Sequence, residues 1–319
     1  MINKKSISLR VSLTNRCNMR CNYCRPLGQG NTRFPNGELS PDAWVERICL
    51  IRQAIPLEKV RFTGGEPLLY SAVVDVVAGC ADLGIEELAL TTNALRLPRY
   101  AKALKEAGLK RVNISLDSLN PETFRKINGS KLEEVLAGIE AAREAGLAIK
   151  LNTVVQRDSN FWELTELLEY AASKQLHIRF LEMMPIGPAA KDFDRLYVPG
   201  DEIREQLERI AGLEAIPYET GETSRDYRAK LENGTETLCG FILPTSTPFC
   251  DGCRRLRLDS HGRLYGCLAQ PDTFPLNDAF ESAGVGDLIP LKSRVATALS
   301  IKKRTQKFTE QAAMIDIGG

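Results

Sequence analysis

Between residues 8 and about 184, short runs that alternate apolar and polar positions take turns with longer runs of helical period. Ser8 to Leu13 alternates as a strand does, and strand-like runs follow at 59–63, 87–92, 111–116, 148–155 and 177–181. Helical runs lie between them near 71–83, 99–107, 132–145 and 162–173. Ser40-Pro41-Asp42 reads as a helix start, with Ser as the cap and Pro at the first helical position. The helix ends repeat: Glu106-Ala107-Gly108-Leu109 and Glu144-Ala145-Gly146-Leu147 each close on a glycine suited to a left-handed cap, and Leu83-Gly84-Ile85 is a looser copy. Six such units predict an α/β fold, a parallel sheet with helices outside. Six strands suit a partial (β/α)6 TIM-like barrel better than a full eight-fold one. Chemistry in such barrels sits in the loops after the strands. Here those loops carry Cys17 to Cys24, Gly64-Gly65-Glu66-Pro67, Thr91-Thr92-Asn93, Ser115-Leu116-Asp117-Ser118, Asn152-Thr153 and Met183-Met184-Pro185.

Beyond Pro185 the pattern changes. Residues 186–240 read as irregular and polar with one helix near 201–211, and 241–270 hold a cysteine group between short strands. The expected division is a barrel over 1–185 and a smaller C-terminal cap over 186–319, packed on the barrel's open mouth. A chain of 319 residues, 43% hydrophobic, buries a large core without disulfides. Forty-two basic against 41 acidic residues argue against a nucleic-acid binder. The most apolar stretch, 72–90, is broken by Asp75, Asp82, Glu86 and Glu87, and the first six residues lead into a strand rather than a signal core. A cytoplasmic protein with neither a nucleic-acid nor a membrane partner is expected.

Nine cysteines, an odd number without an export signal, argue against a disulfide framework. Six of them fall in two groups. Cys17, Cys21 and Cys24 follow the first strand with C-x3-C-x2-C spacing. Three thiolates in one loop suit a [4Fe-4S] cluster with one iron left open. The alternatives are a zinc site that borrows a fourth ligand, or three unrelated core cysteines. Cys250, Cys253 and Cys267 form the second group, C-x2-C-x13-C. They suit another open cluster, or a zinc site completed by Cys239. In Cys253-Arg254-Arg255-Leu256-Arg257-Leu258, a strand would put Arg255 and Arg257 on one face, where two guanidiniums make an anion site. Cys49 and Cys80 lie in helical runs and read as buried small hydrophobes.

The first cysteine group, with Tyr23 inside it and Gly-Gly-Glu-Pro after the second strand, resembles the radical S-adenosylmethionine (SAM) superfamily. Within it the whole chain, from Leu9-Arg10 to the final Gly318-Gly319, resembles the GTP 3′,8-cyclase family of molybdenum cofactor biosynthesis. The resemblance implies two [4Fe-4S] clusters, one held by Cys17, Cys21 and Cys24 with SAM on its open iron, the other by Cys250, Cys253 and Cys267. It implies SAM contacts at Tyr23, Gly65, Ser115 and Met184. It implies GTP contacts at Arg10, Arg61, Thr91, Lys150 and Arg179, with Arg255 and Arg257 beside the second cluster and catalytic with the first three cysteines. A 5′-deoxyadenosyl radical would take the ribose C3′ hydrogen, giving 3′,8-cyclo-7,8-dihydro-GTP. An electron donor, the next pathway enzyme (cyclic pyranopterin monophosphate synthase) and a homodimer partner are implied with it, and the Gly-Gly tail would reach the active site.

The chain departs from the family pattern at Arg25 after the third cysteine, at Leu68-Leu69-Tyr70-Ser71 after Gly-Gly-Glu-Pro, and at Ala94 in place of a glycine. A radical SAM paralogue acting on another nucleotide or a peptide is therefore the second reading. A non-catalytic zinc- or iron–sulfur-binding interaction protein is the third.

Overall fold

The computed structural model describes residues 6–24, 38–269 and 272–301. Arg25 and Gly318-Gly319 lie outside the described residues. The first part of the chain runs β1 (Ile7–Ser12), α1 (Pro41–Ala54), β2 (Leu57–Thr63), α2 (Val73–Asp82), β3 (Glu87–Thr92), α3 (Leu97–Glu106), β4 (Arg111–Ser115), α4 (Pro121–Asn128), α5 (Leu132–Glu144), β5 (Ala148–Val154), α6 (Leu164–Ser173) and β6 (His177–Leu181). The expected alternation is therefore present, and all five neighbouring pairs from β1 to β6 are parallel. Ser40 caps α1 by accepting from Ala43 N at 3.2 Å. Gly84, Gly108 and Gly146 all take positive φ at the ends of their helices. One helix, α4, is not anticipated above. Its start, Asn120-Pro121, carries the same cap signal as Ser40-Pro41, and the Asn120 side chain accepts from Glu122 N and Thr123 N.

The second part reads α7 (Pro188–Lys191), α8 (Phe193–Leu196), α9 (Gly200–Glu208), β7 (Ala211–Ala215), β8 (Arg225–Leu231), β9 (Glu236–Ile242), β10 (Arg255–Leu258), β11 (Arg263–Tyr265), β12 (Thr273–Pro275), α10 (Asn277–Gly284) and α11 (Ile289–Ile301). This corrects the expectation of an irregular stretch over 186–240. Asn233-Gly234 makes the turn between β8 and β9, with Gly234 at φ 83°. That dipeptide is a strong hairpin signal, and the charges of Arg225–Leu231 concealed it. The C-terminal strands also extend the barrel sheet itself. Among the described residues the sheet has the order β12-β11-β10-β1-β2-β3-β4-β5-β6-β9-β8-β7. β10 pairs parallel with β1, and β9 parallel with β6. Eight strands thus run parallel, flanked by antiparallel edges, in a sheet that stays open.

Alternation along the strands separates two faces. Leu9, Val11, Val60, Phe62, Leu88, Leu90, Val112, Ile114, Leu151, Ile178, Phe180, Leu256 and Leu258 are buried in the main core, with Trp44, Ile48 and Ile51 of α1. The intervening positions are largely polar. No helix among the described residues is long and apolar enough to cross a membrane.

Ala94 follows β3 with φ 67°, a left-handed conformation that favours glycine. Its carbonyl is covered by Gly138 of α5, where an added Cβ would lie 2.2 Å from Ala94 O. Overpacking against backbone outweighs the gain in helix propensity. Gly138→Ala is therefore expected to destabilise the protein by about 2 kcal/mol. Denaturant unfolding measures this, and an equally stable or more stable variant would refute the packing.

Candidate active site

The inner face of the sheet is unusual for a barrel, whose interior branched aliphatic side chains normally fill. Register sets Arg257 beside Arg10 and Arg10 beside Arg61, on three adjacent strands. Further round, Thr91, Asn113, Lys150 and His177 form one row, and Ser115, Asn152 and Arg179 another. These rows face a cavity of about 220 Å³ lined by Arg10, Arg61, Thr91, Asn152, Arg179, Met184, Arg255 and Arg257, together with apolar residues.

The charge there is one-sided. Glu182 is the one carboxylate among the described lining residues. It is occupied: Oε1 accepts from Gly200 N at 2.8 Å and Tyr197 OH at 3.1 Å, and Oε2 from Thr245 N at 3.0 Å and Ser246 N at 2.9 Å. It fastens the C-terminal segment to the end of β6. The guanidiniums instead press on each other. Burial lowers Arg61 to about 9, helped by Arg179 and Arg111, and lowers Arg257 to about 10, helped by Arg255. Arg10 is lowered well below its usual value by burial and then by Arg257 and Arg61. Arg179 Nη2 donates to Asn113 Oδ1 at 2.7 Å, yet Nε of both Arg61 and Arg179 is buried without a partner in the protein. Buried donors on mutually repelling cations suit a polyanionic ligand.

Cys250, Cys253 and Cys267 line the same cavity. Cys253 N donates to Cys250 O at 3.1 Å, which folds the C-x2-C into a turn. Burial and the two neighbouring thiols raise Cys250. Arg255 Nη1 donates to Thr223 Oγ1 at 2.5 Å, and its guanidinium lies 4.9 Å from the Phe249 ring centroid. The strand reading of 253–258 is correct for Arg255 and Arg257, which share the inner face of β10. Cys239 lies elsewhere, fully buried in β9 within the main core, and behaves as a small apolar side chain.

The loop after β1 holds Cys17, Cys21 and Cys24 partly exposed, pinned from two sides. From one side, Arg20 N donates to Asn128 O at 3.0 Å and Asn22 N to Ile127 O at 2.9 Å, at the end of α4. Asn128 Nδ2 reaches Cys21 Sγ at 3.3 Å and Asp117 Oδ2 at 2.7 Å. Asp117 also accepts from Tyr23 OH at 2.9 Å and Val154 N at 2.8 Å. From the other side, Gly65 N donates to Thr14 O at 2.8 Å and Glu66 N to Arg16 O at 2.7 Å. An added Cβ would meet Thr14 O at 2.3 Å on Gly64 and Arg16 O at 2.4 Å on Gly65, so only glycines allow the turn to dock there. Glu66, 1% exposed, accepts from Leu68 N, Thr92 Oγ1 and Asn93 N, and Asn93 Nδ2 reaches Asn18 Oδ1 at 2.8 Å.

The residues present fit the implied clusters. Each group offers three thiols that bear on one another electrostatically, and burial followed by Cys24 and Asp117 drives Cys21 far up, so ionisation there calls for a bound cation. Among the described residues no three His, Cys, Asp or Glu side chains are arranged to hold a single metal ion. The substrate-side residues expected above, Arg10, Arg61, Thr91, Arg179, Arg255 and Arg257, meet in one cavity with Met184. Lys150 bears on Arg179 from the neighbouring strand. Ser115 ends β4 and Tyr23 sits in the cysteine loop. Sequence reasoning missed the supports Asp117, Asn128, Glu66 and Glu182 as a working set, because each acts through contacts far away in the chain. Phe249 was also missed, although it adjoins Cys250.

Residues 11–171 match the Radical SAM superfamily, and residues 176–308 match Molybdenum Cofactor Synthesis C. A GTP 3′,8-cyclase of Listeria welshimeri is 44% identical over 266 residues, covering 82% of this chain and 78% of that protein. One from Rhizobium etli is 38% identical over 86% of this chain and 78% of its own length. One from Brucella ovis is 35% identical over 94% and 87%. Among solved structures, Streptococcus suis SuiB bound to its precursor peptide SuiA superposes with a TM-score of 0.63 at 14% identity, over 97% of this chain and 76% of that one. That likeness is one of fold.

Glu66 generates a prediction of its own. Burial raises its carboxyl to about 7 against the hydrogen bonds it accepts. The folded protein therefore keeps a proton that the unfolded chain releases near 4.5. Stability from this group is full below that value and falls as pH climbs towards 7. Glu66→Gln is expected to flatten the slope between about pH 5 and pH 7 in denaturant unfolding. An unchanged slope would assign it to another group.

Proposed function

The chain belongs to the GTP 3′,8-cyclase family of the radical SAM superfamily, and from that membership we propose how its residues divide the work. The reaction joins ribose C3′ of GTP to guanine C8, giving 3′,8-cyclo-7,8-dihydro-GTP at the start of molybdenum cofactor biosynthesis. A [4Fe-4S] cluster with SAM, when bound, supplies the 5′-deoxyadenosyl radical that takes the C3′ hydrogen. Cys17, Cys21 and Cys24 would hold that cluster. Gly65, Tyr23, Ser115 and Met184 would hold SAM. Cys250, Cys253 and Cys267 would hold a second cluster beside the base.

The observation that carries this reading is that one cavity joins the arginine row to the second cysteine group. Arg10, Arg61 and Arg179, with Lys150 behind them, take the triphosphate. Arg257 continues the row towards the cysteines, and Arg255, steadied by Thr223 and Phe249, closes it. A nucleotide anchored at both ends presents its ribose in one orientation, which is what a radical reaction needs. The apolar lining residues Ile242, Pro244, Pro248, Leu268 and Ala269 keep water and stray hydrogen donors away. An electron donor, a next pathway enzyme that receives the product, and a second copy of this chain are the partners this reading calls for.

The test is an anaerobic turnover assay on protein reconstituted with iron and sulfide, given SAM, a strong reductant and each ribonucleoside triphosphate in turn. Mass spectrometry is expected to find 5′-deoxyadenosine and an isomer of GTP rising with GTP alone. SAM cleavage indifferent to nucleotide would move the substrate to another class. Wild type should hold about eight irons and Cys250→Ala about four. Arg61→Ala should weaken GTP binding about 10- to 100-fold, the range for a charge-assisted hydrogen bond, and near-normal affinity would remove Arg61 from the phosphate site.

A further inference from the structure

Register sets four residues in a row across the cavity face: Asp226 of β8, Gly240 of β9, Arg179 of β6 and Asn152 of β5. The second member has no side chain. A Cβ on Gly240 would lie 2.4 Å from Asp226 Oδ1, 2.3 Å from Ser224 Oγ and 3.1 Å from Arg179 Cγ. Gly240 is thus the gap that leaves room for a carboxylate of one neighbouring strand and the stem of an arginine of the other. In the adjoining row Lys150 is the register partner of His177, whose Nε2 lies 3.5 Å from Asp226 Oδ2. Asp226 Oδ1 is buried without a hydrogen-bond partner in the protein.

We propose that Asp226, half-buried at the gap left by Gly240 and against His177, is a positioning residue for the substrate: its negative charge makes the Lys150 and Arg179 end of the cavity ready for the nucleotide's phosphates. The proposal rests on the reading that the nucleotide binds in this cavity. The surrounding charges agree with it. Burial leads in lowering Lys150 to about 8; Arg179, Arg111 and Arg61 also oppose its proton, and Asp226 favours it. Asp226 favours the charge on Arg179 too. Arg111 is already engaged, its Nη2 2.5 Å from Glu87 Oε1, and Lys59 Nζ lies 2.5 Å from Glu87 Oε2. Around Asp226 itself, burial is opposed by His177, Ser224 and Lys150, which hold it at about 2. His177 is lowered, chiefly by burial, and is neutral at pH 7. Cys239, on the opposite face of β9, is raised to about 12 by burial and stays a thiol.

The sign follows from Lys150. It is charged below about 8 and neutral above, so phosphate affinity falls as pH rises through that value. Without Asp226 the fall comes earlier. Cluster-reconstituted protein would be titrated anaerobically by calorimetry with GTP, inorganic tripolyphosphate and guanosine from pH 6 to 9.5. The ratio of variant to wild-type affinity at each pH cancels the ligand's own ionisation. Asp226→Asn is expected to lose tripolyphosphate and GTP affinity at least about one pH unit earlier than wild type, with guanosine unaffected. Asp226→Glu should restore part of the wild-type profile. Lys150→Gln should abolish the step near pH 8, and Asp226→Glu, which shifts the carboxylate by one methylene, keeps the role of Asp226 testable if Asp226→Asn does not fold. Simple loss of a negative charge predicts the opposite, tighter anion binding with an unmoved midpoint, and that result overturns the proposal. A step that persists in Lys150→Gln overturns it as well. Wild type that binds guanosine but neither phosphate ligand overturns the cavity reading first.

Discussion

Cations crowded on one face of an open barrel dominate this protein. Arg257, Arg10 and Arg61 stand side by side because β10, β1 and β2 run parallel in register, and parallel register repeats each side chain beside its neighbour. Like charges a strand apart in a buried site oppose folding. The fold can hold them because its core is built on the other face, where the aliphatic residues of the same strands meet the helices. A strand such as β1 thus serves two purposes at alternate positions: Leu9 and Val11 pack into the core, and Arg10 lines the cavity.

Carboxylates are placed to divide that charge. Glu87 pairs with Lys59 and Arg111 at the start of the strands, and Asp226, next to His177, favours the charge on Lys150 and Arg179. Glu182, at the end of β6, is turned to backbone amides. Carboxylates therefore concentrate towards one end of the barrel. The cysteine loop is built on a different principle. Its backbone amides are taken by the end of α4, and its flank is docked on a glycine turn, so its geometry depends on hydrogen bonds rather than on charge.

The alternation of strands and helices was legible because each helix has its own punctuation, such as Ser40-Pro41 and Gly146. The cysteine groups and inner-face arginines were legible because spacing and strand parity are local properties. Two classes of feature were not. The first is strand order: nothing near Arg255 announces that β10 pairs with β1, yet that pairing completes the arginine row. The second is buried polar support. Asp117 receives Tyr23, Asn128 and Val154 from three separate elements, and no local pattern marks such a meeting point.

The departures from the family pattern at Tyr70 and Ala94 bear on substrate choice through where they sit. Tyr70 is 3% exposed, and its hydroxyl donates to Leu39 O at 2.7 Å, tying the turn after β2 to the segment that leads into α1. Ala94 is fully buried, with its carbonyl against Gly138 and its amide on Thr92 Oγ1 at 3.0 Å. Neither is among the cavity's lining residues. Both adjoin the scaffold of the cysteine loop, since Glu66 and Asn93 lie between them and the cysteines. A residue packed into that scaffold alters how firmly the loop is held, whereas recognition of a nucleotide requires atoms in the cavity. The arginine row and Thr91 line the cavity, so these two substitutions stand apart from the atoms that a ligand there would meet.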